Sequence, residues 1–102
     1  MSKAKLYYEA HITVESMGKL WEEFKDNVDD FAECWRVSKF DDNEVDDYNG
    51  KYFLSFREID FEKMKKEVLR VIDILENEYN YSVLRWKIEN TILDSRYGGR
   101  LI

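Results

Sequence analysis

The chain has 102 residues, a length that suits one domain with a single hydrophobic core. Hydrophobic residues make up 44% of it and aromatic residues 16%, which is too apolar for a disordered chain although 37% of the residues are charged. The net charge of −6 at pH 7 disfavours nucleic acid as a partner, because nucleic acid is also negative. No run approaches the roughly 20 apolar residues of a membrane span, and the N-terminus lacks the apolar core of a secretory signal. We therefore expect a single domain over residues 1–102, in the cytoplasm and away from membranes.

The chain contains one cysteine, Cys34, and one histidine, His11. An internal disulfide needs two cysteines, and without a second Cys or His a structural zinc site is excluded in practice. We therefore expect no disulfide, no metal site and no cofactor. Cys34 lies beside Trp35 in an apolar run, so we expect it to be packed rather than nucleophilic.

The first predicted element is a strand, because Leu6 to Glu15 alternates between apolar and polar residues. A helix is predicted to follow over residues 17–31, where apolar residues recur at helical spacing and Ser16 can act as the N-cap. The apolar face of the strand would carry Tyr8, Ala10, Ile12 and Val14. The polar face would carry Tyr7, Glu9, His11 and Thr13.

Two aromatic and β-branched runs, 34–40 and 51–58, come next and are separated by an acidic connection that ends at Gly50. This pattern is typical of two strands joined by a long loop. Asp60 is then a suitable N-cap for a second amphipathic helix over 61–78.

Residues 82–92 alternate again and form the last predicted strand. We expect Leu84, Trp86 and Ile88 on one face, and Arg85, Lys87 and Glu89 on the other. Each of the three Trp residues falls at an apolar position of its element, so we expect all three in the core.

The predicted order β-α-β-β-α-β is that of the ferredoxin-like split βαβ arrangement. This is an α+β fold with a four-stranded antiparallel sheet and both helices on one face. We expect the first and last strands to lie side by side at the centre of the sheet. The polar residues of the first strand would then face away from the helices.

The face without helices is the predicted ligand-binding site, because it would gather several cations and the imidazole. Arg binds phosphate oxygens in pairs and Lys supplies a point charge, so this face suits an anion. The alternative is that the same residues only solvate the exposed side of an antiparallel sheet. The predicted ligand-binding residues are Glu9, His11, Thr13, Arg36, Arg57, Arg85, Lys87 and Glu89.

The acidic connection is the predicted site for a protein partner, because it holds five carboxylates within residues 41–47. Their spacing does not fit a calcium-binding EF-hand loop, since Val45 stands where a ligand is due. We expect an exposed loop that attracts a basic partner. Its predicted partner-binding residues are Asp41, Asp42, Glu44, Asp46 and Asp47.

The tripeptide His11-Ile12-Thr13 resembles the H-x-T/S motif that forms half of the signature of the 2H phosphoesterase superfamily. In those enzymes two such motifs lie on central strands, and their histidines act as acid and base on a phosphodiester while the hydroxyls hold the phosphate. The resemblance implies roles for His11 and Thr13. Because the chain has no second histidine, the acid–base partner would have to be Glu9, Glu89 or Lys87. Whether the protein is an enzyme is left open, and binding ranks above catalysis.

Residues 49–56 resemble in part the RNP1 motif of RNA-recognition domains. The resemblance implies that Phe53 offers a ring on which a base can stack. Lys51 stands at the other stacking position, and packing of Phe53 and Phe56 in the core is the alternative interpretation. The matching residues are Gly50, Phe53, Leu54 and Phe56.

Both ends of the chain, Tyr7 to Glu15 and Arg85 to Arg96, together resemble small uncharacterised proteins encoded by tailed bacteriophages. That group implies no established activity. Small acidic phage proteins resemble inhibitors of host enzymes or defence systems, which would place this protein in the host cytoplasm. The sequence therefore predicts a small acidic binding protein. Its expected partner is a host protein or an anionic small molecule such as a nucleotide.

Overall fold

A computed structural model describes residues 4–39 and 50–94. The strands form one antiparallel sheet in the order β2-β3-β1-β4, which confirms the ferredoxin-like α+β fold. In the part of the chain that is described, no helix has the length and apolar character needed to cross a membrane. The elements are β1 (Ala4–Glu15), α1 (Trp21–Phe31), β2 (Arg36–Lys39), β3 (Lys51–Glu58), α2 (Phe61–Asn77) and β4 (Ser82–Asp94).

The centre of the sheet is formed by β1 and β3, and not by the first and last strands. The prediction was right that β1 and β4 pair, but β4 is an edge strand. The reason is the interlocking of the two β-α-β units. Each helical connection skips one strand position, and a strand of the other unit fills it.

Both helices cover the same face of the sheet, where they bury the apolar residues of alternating strand positions. Phe24 of α1 contacts Tyr52 of β3 with ring centroids 4.6 Å apart. Residues of the opposite parity, including His11, therefore face away from the helices, as predicted. The core includes Ala10, Ile12, Val14, Phe24, Val28, Tyr52, Leu54, Met64, Val68, Val71 and Leu75.

Helix α1 begins at Trp21, later than the predicted start at residue 17. Met17 and Gly18 have φ angles of 54° and 79°, which a right-handed helix cannot include. Ser16 is buried and donates its backbone N–H to the carbonyl of Gly50 at 3.1 Å, so it links β1 to β3 instead of capping the helix. By contrast, Asp60 caps α2 as predicted, since its carboxylate accepts the backbone N–H of Lys63 at 3.1 Å.

The predicted alternation of β4 is interrupted by a β-bulge. Thr13 pairs with Arg85 and Val14 with Val83, so Leu84 is an extra residue in the ladder. Val83 packs against the core, whereas Leu84 is 47% exposed. The prediction that every Trp lies in the core was wrong for Trp86, which is 46% exposed because β4 has a neighbour on one side only among the described strands.

Candidate functional site

All of the predicted ligand-binding residues lie on the sheet face that the helices leave uncovered, here called the open face. Paired residues of neighbouring antiparallel strands share a face, so the strand register gives their arrangement. The rows across the sheet from Glu9 to Glu15 are Arg57-Glu9-Glu89, Arg36-Ser55-His11-Lys87, Ser38-Phe53-Thr13-Arg85 and Lys51-Glu15-Ser82.

The open face is positive although the chain as a whole has a charge of −6. Counting only the described rows from Glu9 to Glu15, five Arg or Lys side chains stand against three Glu side chains. Such a local excess of cations raises the local concentration of anions. The cations are Arg36, Lys51, Arg57, Arg85 and Lys87, and the carboxylates are Glu9, Glu15 and Glu89.

Arg57 is held in place by two neighbours on β1. Its Nε donates to Oε2 of Glu9 at 3.2 Å, and its guanidinium lies over the ring of Tyr7 at 5.2 Å. The Glu9 side chain is only 13% exposed, so this contact is partly shielded from water. The position of Arg57 is therefore defined by the sheet surface before any ligand binds.

The imidazole of His11 lies between two carboxylates. Its Nε2 is 3.1 Å from Oε1 of Glu89 and 3.5 Å from Oε1 of Glu9. Lys87, the cross-strand partner of His11, is turned toward Glu89, with Nζ 3.7 Å from Oε2. A phosphate approaching Nε2 would meet both carboxylates, so the geometry favours other cations of the open face as its contacts.

A pocket of about 260 Å³ opens where the residues before β2 meet β3. Arg36 and Arg57 both line it, and among the described residues Arg36 has no ion pair. Cys34 also lines the pocket. We predicted that this residue is packed, but it is exposed, because it precedes β2 instead of lying within the strand. The lining residues are Glu9, Cys34, Arg36, Ser55, Phe56 and Arg57.

Phe53 is half-buried on the open face, between Ser38 of β2 and Thr13 of β1. The RNP1-like interpretation predicted a stacking ring at this position, whereas the alternative predicted that both Phe53 and Phe56 pack in the core. Of these two residues, core packing holds for Phe56. Phe56 packs against the core and stacks on Trp35 with ring centroids 5.1 Å apart.

The predicted partner-binding loop, Asp41 to Asp47, lies outside the described residues, as does the chain beyond Asp94. Binding of a basic protein partner through this loop stays a prediction.

No family model, curated protein or solved structure matches this chain.

Proposed function

We propose that the protein binds a phosphate-bearing small molecule of the nucleotide class on its open face, with the phosphate in the pocket between Arg36 and Arg57. The observation that carries the proposal is that two arginines, Arg36 and Arg57, line one pocket of an acidic protein. Two neighbouring cations repel each other, and an anion between them offsets this repulsion. A phosphate group would bind both at once.

The lining of the pocket offers the donors that a phosphate needs. Arg57 uses its Nε for Glu9, which leaves further N–H groups of the same guanidinium for a ligand. Arg36 has its whole guanidinium to offer, and the hydroxyl of Ser55 lies on β3 in direct register with Arg36. Guanidinium groups bind phosphate oxygens in pairs, which gives both strength and orientation.

Phe53 supports a nucleotide rather than inorganic phosphate as the ligand. It lies on the same face of β3 as Ser55, two residues away, which is roughly 7 Å along a strand. The pocket, at about 260 Å³, suits the phosphate end of the ligand. The base would lie outside it on the sheet surface and stack on Phe53.

Capture of the ligand fits this geometry better than its conversion. The enzymes that the His11-Ile12-Thr13 motif resembles use a second imidazole, and the chain has none. Binding without catalysis needs only the Arg36 and Arg57 cations, the Ser55 hydroxyl and the Phe53 ring.

The proposal is tested by NMR titration with inorganic phosphate and a panel of linear and cyclic mononucleotides. We expect nucleotides to shift the amide resonances of Ser55 and Arg57, and ³¹P spectra recorded in parallel would show any hydrolysis of cyclic nucleotides. Arg36→Ala should weaken binding by about tenfold to a hundredfold, since a hydrogen bond to a charged group contributes about 1.5–3 kcal/mol.

Arg85→Ala is the matched control, because it removes the same cation from the opposite edge of the same face. It should change the affinity by much less than Arg36→Ala. Equal losses for the two variants would mean that the whole face attracts anions without a pocket. No shift with any nucleotide at millimolar concentration would refute the proposal.

A further inference from the structure

We propose that Glu9, His11 and Glu89 bind one divalent transition-metal ion of the zinc type on the open face. The three side chains come from adjacent strands, with Glu9 and His11 on β1 and Glu89 on β4. Their candidate ligand atoms all lie within 4.8 Å of one another. An imidazole nitrogen with carboxylate oxygens is a ligand set that zinc binds in proteins.

The two distances from the imidazole of His11 to the carboxylates are close to those of a tetrahedral metal site. With metal–ligand bonds of 2.0–2.1 Å, two ligand atoms of a tetrahedron are about 3.3 Å apart. The Nε2 of His11 is 3.1 Å from Oε1 of Glu89 and 3.5 Å from Oε1 of Glu9. An ion could therefore enter with small side-chain rotations and no movement of the strands.

In both Glu9 and Glu89, the second carboxylate oxygen contacts the cationic side chain of a neighbouring residue. Oε2 of Glu9 accepts the Nε of Arg57 at 3.2 Å, and Oε2 of Glu89 lies 3.7 Å from Nζ of Lys87. These contacts leave Oε1 of both residues directed at His11. Outer partners of this kind orient metal ligands and are a regular part of metal sites.

The register of β1 and β4 gives an independent reason to expect a cation. Glu9 and Glu89 are directly opposite each other, and like charges at such a position destabilise a sheet. Arg57 and Lys87 offset part of this repulsion from the outer sides. A divalent ion between the two carboxylates would offset it from the inner side, where His11 points its Nε2.

The proposed site is open rather than closed. Three protein ligands leave one tetrahedral position for water, and the side chains of His11 and Glu89 are 38% and 46% exposed. A closed structural zinc site is a different kind of site, because it needs four protein ligands and the chain has only one cysteine and one histidine. The proposed metal site shares Glu9 with the lining of the proposed phosphate pocket, but His11 and Glu89 lie outside that lining, so zinc binding can be measured whether or not the phosphate proposal holds.

Zinc titration in buffer free of phosphate and nucleotides tests the site. Calorimetry should show zinc binding to the wild type, and NMR should show a shift of the His11 ring resonances. His11→Gln and Glu89→Gln should each lower the affinity at least tenfold. Manganese should broaden the amide resonances around Glu9, His11 and Glu89 before those of the helices.

Glu62→Gln is the matched control, because it removes the same charge from α2, where Glu62 pairs with Lys65 at 3.5 Å. It should bind zinc like the wild type, and so should Cys34→Ser, which removes the exposed thiol. ¹H–¹⁵N spectra would show that each variant is folded. Unchanged His11 ring resonances in excess zinc, or equal affinities of Glu89→Gln and Glu62→Gln, would overturn the proposal.

Discussion

The indole Nε1 of Trp35 donates a hydrogen bond of 2.8 Å to Oε2 of Glu67, which joins the residue before β2 to helix α2. Arg70 donates to the same carboxylate through Nη2 at 2.7 Å and Nε at 2.9 Å. The hydrogen bonds from Arg70, and less strongly that from Trp35, hold the pKa of Glu67 below its ordinary value against the opposing effect of burial. The carboxylate therefore stabilises the fold in its charged form.

Glu67→Gln should lower the free energy of unfolding at pH 7 by about 1 kcal/mol, because an amide loses the charge that Arg70 binds and the contact is partly exposed. A carboxyl with a lowered native pKa stabilises the protein above its unfolded pKa of about 4.3 and loses this effect as the pH falls through the native pKa. The difference between wild type and variant should therefore shrink below about pH 4. Urea denaturation at several pH values measures it, and a difference that is constant with pH would contradict the assignment.

Substitutions at the N-caps of the two helices should change the stability of the protein in opposite directions. Asp60→Ala removes the acceptor for the N–H of Lys63 and should cost about 1 kcal/mol of stability. Leu20 caps α1 in an extended conformation without a side-chain hydrogen bond, so Leu20→Asp should stabilise the protein by about 0.5–1 kcal/mol. Thermal melts compare the variants, and a loss of stability in Leu20→Asp would show that the apolar contacts of Leu20 outweigh a cap.

Phe24→Ala should be among the most destabilising substitutions in the core. Its ring is fully buried and contacts Tyr52 and Tyr81 with centroids 4.6 and 5.3 Å away. We expect a loss of about 3–5 kcal/mol, from lost apolar burial and the cavity left behind. Leu69→Ala on the exposed side of α2 is the control and should change stability by less than about 0.5 kcal/mol. Equal effects in a denaturant titration would argue against the packing described.

Phe53→Ala separates base stacking from phosphate binding. If a base stacks on this ring, the variant should lose about 1–3 kcal/mol of nucleotide affinity and none of its affinity for inorganic phosphate. Fluorescence or NMR titration of the same two ligands gives both values. A parallel fall in both affinities would mean that Phe53 supports the sheet surface and does not touch the base.

The alternation of Leu6 to Glu15 was enough to predict which way His11 faces, because a strand buried on one side has a period of two. The same reasoning predicted the open-face positions of Arg36 and Arg57. It could not predict that Nε2 of His11 points at Glu9 and Glu89, since this depends on the register between β1 and β4 and on side-chain rotamers.

The other predictions that were wrong concern features that depend on contacts between elements, which the pattern within one element does not contain. The turn at Met17 and Gly18 shortens α1 at a place where helical spacing alone would continue it. Leu84 and Trp86 have the right spacing for a buried face, but the bulge and the edge position of β4 expose them. The pocket at Arg36 likewise depends on how β2 meets β3, which periodicity within one strand does not contain.

The bulge at Leu84 also affects strand pairing between two copies of this protein at the β4 edge of the sheet. A long, flat edge strand offers its free backbone groups to a strand of another molecule, and β4 is an edge strand of 13 residues. An extra residue twists such a strand locally and interrupts its ladder, so a second strand cannot pair along its full length. Charged Arg85 and Lys87 beside the bulge oppose the same approach. One inserted residue thus lets Val83 pack against the core and interrupts the regular ladder near the start of the edge strand.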